Sequence, residues 1–113
     1  MINLGEETRG ILYDYGYTIS DINWIGCEDF QIDINDFFKC ADTFNYNNGF
    51  GHAYVASDLK IVMNDGTWFE RCEYDGSESW IHKGVLRKPT TFKRFKSFNQ
   101  NCYWPLLSEF VEE

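Results

Sequence analysis

Three observations on this 113-residue chain predict an α+β fold. Two consecutive hairpin signals between residues 58 and 83 mark an antiparallel meander. An apolar stripe at helical spacing marks a helix over 34–43, and the length leaves room for one core. We expect a single domain over 1–113: a three- or four-stranded antiparallel sheet packed by two or three short helices. Such a sheet is stable only when something covers its apolar face, and the helices are the available cover.

The elements follow in order. Glu6 to Tyr15 reads as a short helix: Ile11, Leu12 and Tyr15 share one face, Glu6 and Glu7 sit where the helix dipole favours anions, and Gly16 stops it. Gly10 weakens that helix. Asp21 to Ile25 alternates, with Ile22 and Trp24 on one side, and reads as a strand that Gly26 interrupts. Asp33 is the N-cap of a helix over Ile34 to Thr43, where Ile34, Phe37, Phe38 and Ala41 form the stripe and Asp36 adds a carboxylate at the positive end. Phe44 to Tyr54 is a loop of Asn and Gly turn formers with aromatic anchors, among them Tyr46 and Phe50. Leu59, Ile61 and Met63 then alternate with Lys60 and Val62, Asn64-Asp65-Gly66 turns the chain, and Thr67 to Tyr74 returns. A second turn, Asp75-Gly76-Ser77, leads into Glu78 to Lys83. Beyond Pro89, Phe92, Phe95 and Phe98 lie three apart, which favours helix over an extended edge strand. Pro105 opens a closing helix with Leu106, Leu107, Phe110 and Val111 on one face.

Lys and Arg total 10 against 18 Asp and Glu, a net charge of -8, with 43% hydrophobic and 19% aromatic residues. The aromatic load excludes a disordered acidic tail. No apolar run approaches the roughly 18 residues of a membrane span. The segment MINLGEETRG lacks the basic-then-apolar pattern of a signal peptide, so no membrane association and a cytoplasmic location are expected. The charge is lopsided: residues 1–58 hold ten acids and two bases, whereas residues 83–104 hold six bases and no acid.

Candidate chemistry is sparse. Cys27, Cys40, Cys72 and Cys102 are separated by 13, 32 and 30 residues, too far for a close zinc-binding pair, and read as reduced, small apolar side chains. His52 and His82 carry no partner motif for nucleophilic or zinc catalysis. Asn48-Gly49-Phe50-Gly51 lacks the Lys-Ser/Thr of a phosphate loop. Glu70, Glu73, Asp75 and His82 on the second hairpin could hold a divalent cation for a small metal-dependent hydrolase or nuclease; the competing reading is cross-strand ion pairing on a solvated face. No catalytic residue, metal or cofactor is nominated. The basic segment Lys83 to Lys96, interleaved with Phe92 and Phe95, has nucleic-acid-like composition, but a body of charge -8 repels a polyanion, so direct nucleic-acid binding is the weaker reading. Exposed rings such as Trp68 and Trp80 could instead bury a sheet face in a homodimer.

Trp24-Ile25-Gly26, Asp58-Leu59-Lys60-Ile61-Val62 and the run from Arg71 to Trp80 make a W-I-G … D-L-x-I-V … R-x-E-Y-D-G-S-E-x-W pattern. Over about residues 22–82 it resembles a group of small bacteriophage and mobile-element proteins. That resemblance implies a phage setting and the host cytoplasm, where small acidic proteins often inhibit host machinery, as anti-CRISPR proteins do. Acidity, size and the missing catalytic motifs make a non-enzymatic binding module the leading expectation. It would occupy a basic nucleic-acid-binding surface on a host protein, such as a CRISPR effector or another defence nuclease. The expected partner-binding residues are Asp29, Asp33, Asp36, Glu73, Asp75 and Glu78.

Overall fold

Alternating apolar residues between two tight turns fold back on themselves, and this meander is the centre of the molecule. The computed structural model describes residues 1–49, 53–86, 88–98 and 106–112. In chain order its elements are β1 (Ile2–Asn3), α1 (Leu4–Asp14), β2 (Ile22–Gly26), β3 (Gln31–Ile32), α2 (Ile34–Ala41), β4 (Asn45–Tyr46), β5 (Lys60–Met63), β6 (Trp68–Tyr74) and β7 (Ser77–Lys83). Short 3-10 turns occur at Ile19–Asp21 and Leu107–Phe110. The fold is α+β, with one five-stranded antiparallel sheet in the order β3-β2-β5-β6-β7 and a two-stranded sheet of β1 and β4.

The sheet is wider than expected because Gly26 does not end β2. It lets the chain fold back as β3: a Cβ there would lie 2.2 Å from the Phe30 carbonyl oxygen and 2.6 Å from the Gln31 Cα. The alternation in β2 also differs from expectation. The pairing with β5 shifts between Ile22 and Trp24, so Ile22 and Ile25 are buried while Trp24 faces outward opposite Val62. The second hairpin turns on Asp75 and Gly76 alone, with φ of 51° and 85° and Tyr74 paired to Ser77. Ser77 therefore belongs to β7, as the twist-matched two-residue turn requires.

One face of the sheet carries Ile25, Ile61, Met63, Phe69 and Trp80, and the helices cover it. Helix α1 starts earlier than its sequence suggests because Asn3 caps it, the side chain accepting the Glu6 N–H at 3.0 Å. Its buried face is then Leu4, Thr8 and Leu12, and Tyr15 falls outside the helix and half exposed. Helix α2 buries Phe37, Phe38 and Ala41 as the stripe predicts. Arg9 and Asp42 clamp the two helices together, with the Arg9 guanidinium 4.9 Å from the Phe38 ring centroid. The Asn/Gly-rich loop holds β4, whose Tyr46 is buried, and its Asn48 carbonyl accepts the Glu78 N–H of β7 at 2.7 Å. Phe50 and His52 lie outside the described residues.

The C-terminal expectations change most. No helix forms among the described residues of 88–98; Phe95 instead pairs with Val111 in an isolated antiparallel bridge. The proposed closing helix is a single 3-10 turn with Leu106 and Leu107 exposed, and Pro105 lies outside the described residues. Of the predicted stripe Phe110 is buried while Leu106 and Leu107 stay in water, and a stripe buried at one position gives a short helix little tertiary support. Phe110 is buried but is not part of the main core. The molecule extends 53 × 32 × 27 Å with a radius of gyration of 18.3 Å. A compact chain of this length has a radius near 13 Å. No helix among the described residues is long and apolar enough to cross a membrane.

Candidate functional site

Helix α2 places two of the predicted acids at the lip of an apolar groove. Asp33 is held by its capping role, Oδ1 accepting the Asp36 N–H at 3.0 Å. At spacings of three and four residues, Asp33, Asp36, Phe37 and Cys40 form one stripe, and this stripe is a wall of the groove. Phe44, Tyr54 and Val55 from the long loop line the groove with it, together with Leu4 and Ile32. Its volume is about 560 Å³ and the lining is mostly apolar, with Asp33 and Asp36 its charged members.

The other predicted acids divide between two places. Asp29 lines a separate polar cleft of about 340 Å³ with Glu28, Phe30 and Gln31, at the turn between β2 and β3. Glu73 and Asp75 stand exposed at the tip of the β6–β7 hairpin, where Glu73 accepts the Gly76 N–H at 3.1 Å. The register brings Gly26, Lys60 and Glu70 level, so both turns emerge at the same end of the sheet. Three strand spacings, about 14 Å, lie between β3 and β6. The acids therefore form separate groups and not one patch. Among the described residues, Asp29, Asp33, Asp36, Glu73 and Asp75 are in no ion pair, whereas Glu7, Asp42, Glu70 and Glu78 are paired.

Glu78 is a correction. It is 2% exposed and so cannot meet a partner at the surface. Its Oε2 lies 3.3 Å from Arg71 Nη2, and its Oε1 accepts the Tyr54 N–H at 2.8 Å. Arg71 also approaches Glu7 at 3.5 Å, donates to the Tyr46 hydroxyl at 2.9 Å and lies 4.7 Å from the Trp80 ring centroid. Trp80 Nε1 in turn donates to Thr8 Oγ1 at 3.0 Å. Burial, followed by the bond to Glu7, pushes the Tyr46 hydroxyl up to about 12. This network pins the loop and α1 onto the sheet. Alternation made it accessible to sequence reasoning, since Arg71 shares a face with Phe69, but the acids that meet it come from positions 7 and 78.

The metal-site alternative fails on geometry. Glu70 points to the outer face, where it accepts from Trp68 Nε1 at 2.7 Å and lies 3.5 Å from Lys83 Nζ. His82 pairs with Phe69 on the inner face, against the rings of Tyr15, Tyr17 and Phe69. No group of three or more His, Cys, Asp or Glu that could hold a metal occurs among the described residues. Trp68 and Trp80 likewise point to opposite faces, and Trp80 is buried, so they do not share a dimer surface.

Near His82, Tyr17 donates to Asp65 Oδ2, and its hydroxyl lies 2.9 Å from Thr67 Oγ1. The Thr67 hydroxyl, then Tyr17 and the Thr67 amide, hold the Asp65 carboxyl down at about 2, while burial and Asp65 push Tyr17 up. Cys27, Cys40 and Cys72 are free thiols, and Cys102 lies outside the described residues. Comparison with protein-family models, curated proteins and solved structures returns no match.

Proposed function

We propose that this protein is a non-enzymatic binding module that occupies a basic, nucleic-acid-binding surface on a partner protein. In the phage setting implied by the hairpin pattern, the partner is a host CRISPR effector or another defence nuclease, and occupation inhibits it. One observation carries the reading: in a chain of net charge -8, Asp33 and Asp36 stand beside an apolar groove with no ion-pair partner among the described residues. Unpaired carboxylates on a fixed helix project a field that steers a cationic surface inward, and apolar contact in the groove supplies the energy that holds it. Asp29, Glu73 and Asp75 add charge at one end of the sheet.

Capture of partners from a host lysate at low and high salt tests the reading. The captured complex should weaken as salt rises, because screening shortens the reach of exposed charges. The Asp29→Lys/Asp33→Lys/Asp36→Lys variant should bind at least about tenfold more weakly. A complex indifferent to both salt and these substitutions refutes the proposal.

A further inference from the structure

The geometry points to a reciprocal homodimer in which the cationic C-terminal segment of one copy fills the acid-lipped groove of another, with Phe92 as the anchor. The groove offers an apolar lining and two carboxylates, and no cation lines it among the described residues. Residues 88–98 offer the complement: Lys88, Lys93, Arg94 and Lys96 with no acid among them. Phe92 is 90% exposed and immediately precedes Lys93 and Arg94, so a ring entering the groove brings two cations to the lip where Asp33 and Asp36 stand.

The described part of the segment is drawn together by contacts with its own C-terminal neighbours. Its backbone bonds close on themselves, Lys96 N–H donating to the Phe110 carbonyl at 2.7 Å and Glu112 N–H to the Arg94 carbonyl at 2.8 Å. Phe98 packs on Phe95 and Phe110, which leaves Phe92 outside that cluster. The segment also departs from β7, the edge of the sheet opposite β3, whereas Ile32 of β3 lines the groove. Four strand spacings, about 19 Å, separate those edges. A second copy related by a two-fold axis presents the segment without that crossing, and the exchange closes on itself, each groove filled once.

A photo-crosslinking phenylalanine analogue at position 92 of the full chain, in an equal mixture of ¹⁴N- and ¹⁵N-labelled protein, tests the arrangement together with light scattering. Mixed-isotope crosslinks into residues 32–44 or 54–56 and a mass approaching twice 13.3 kDa are expected. Asp36→Lys should weaken self-association roughly fivefold or more, and Phe92→Ala by a similar or larger factor. Neither side chain belongs to the main core; at concentrations where both proteins are monomeric Phe92→Ala should keep the parent's thermal transition, and Asp36→Lys should lower it slightly by placing a cation at the positive end of α2. Mass of a single chain throughout, crosslinks only within one isotopic species, or crosslinks outside the groove overturn the inference. No partner enters these measurements, so a monomeric result leaves the partner-binding reading intact, whereas a dimer makes partner capture a competition for the same groove that weakens as the protein's own concentration rises.

Discussion

The sheet body and the segment after Lys83 are almost equally rich in aromatic residues, yet only the body is built around a core. In the body, Phe69, Ile25 and Ile61 are fully enclosed because strand alternation aims them at two helices whose own apolar stripes are capped and in phase. In the described part of the C-terminal segment, Phe92, Phe98, Leu106 and Leu107 are exposed, and Phe110 is the buried ring, beside the Phe95–Val111 bridge. Aromatic content alone does not make a core. It does so where periodicity places the rings on one face and a second element meets that face.

Mutations should separate the two regions sharply. Phe69→Ala should cost about 3–5 kcal/mol in urea unfolding, since the site is closed on all sides; a loss below about 1 kcal/mol would show that the body is loosely packed. Glu78→Ala should cost about 3 kcal/mol, the low end for a broken buried pair, because Glu7 still approaches the buried Arg71 guanidinium. Arg71→Met/Glu78→Leu should recover much of that loss, and a double variant as unstable as Glu78→Ala would assign the effect to packing. Asp33→Ala should cost about 1 kcal/mol through the lost helix cap, and far-UV dichroism should report a shortened α2.

Asp65 refines the body's acid limit. Its carboxyl titrates near 2 in the folded chain against an ordinary 3.8, so what it contributes is complete above the ordinary value and is lost as pH falls towards about 2. The difference in urea midpoint between the wild type and Asp65→Asn should therefore be constant at neutral pH and shrink below about pH 4. A difference that persists at about pH 2 would place the effect elsewhere. The smallest change belongs to the segment: Phe110→Ala should move the main unfolding transition by less than about 0.5 kcal/mol. It should abolish hydrogen-exchange protection at the Lys96 and Glu112 amides. Coupled loss of the body would merge the two regions into one.

How much of this was legible from sequence follows the same division. The meander and α2 could be read because local signals agreed: alternation, left-handed turn residues, an Asp cap and a stripe in phase. Strand β3 could not be read, because two residues carry no period, and its existence depends on the close backbone approach at Gly26. The outward turn of Trp24 was hidden by a register shift that only the partner strand imposes. Asp33 and Asp36 were legible as exposed acids, but the groove beside them was not, since Phe44, Tyr54 and Val55 reach it from a loop with no periodic signal. Glu78 misled because its charge suggested water. Arg71, seven residues earlier, supplied a partner inside the protein. The C-terminal helices were read from spacing and, for the last, from Pro105 at its start, signals that say where side chains point and nothing about whether a neighbour waits there.

The unequal borders of the sheet have a practical result for a protein rich in sticky rings. At one border β3 offers two residues of backbone, too short a grip for another strand, while β7 at the other is seven residues long, its Glu78 amide already occupied by Asn48. Stacking by strand addition thus has a single usable flank. By edge pairing of the large sheet alone, a block with one such flank joins a single neighbour and goes no further by that route.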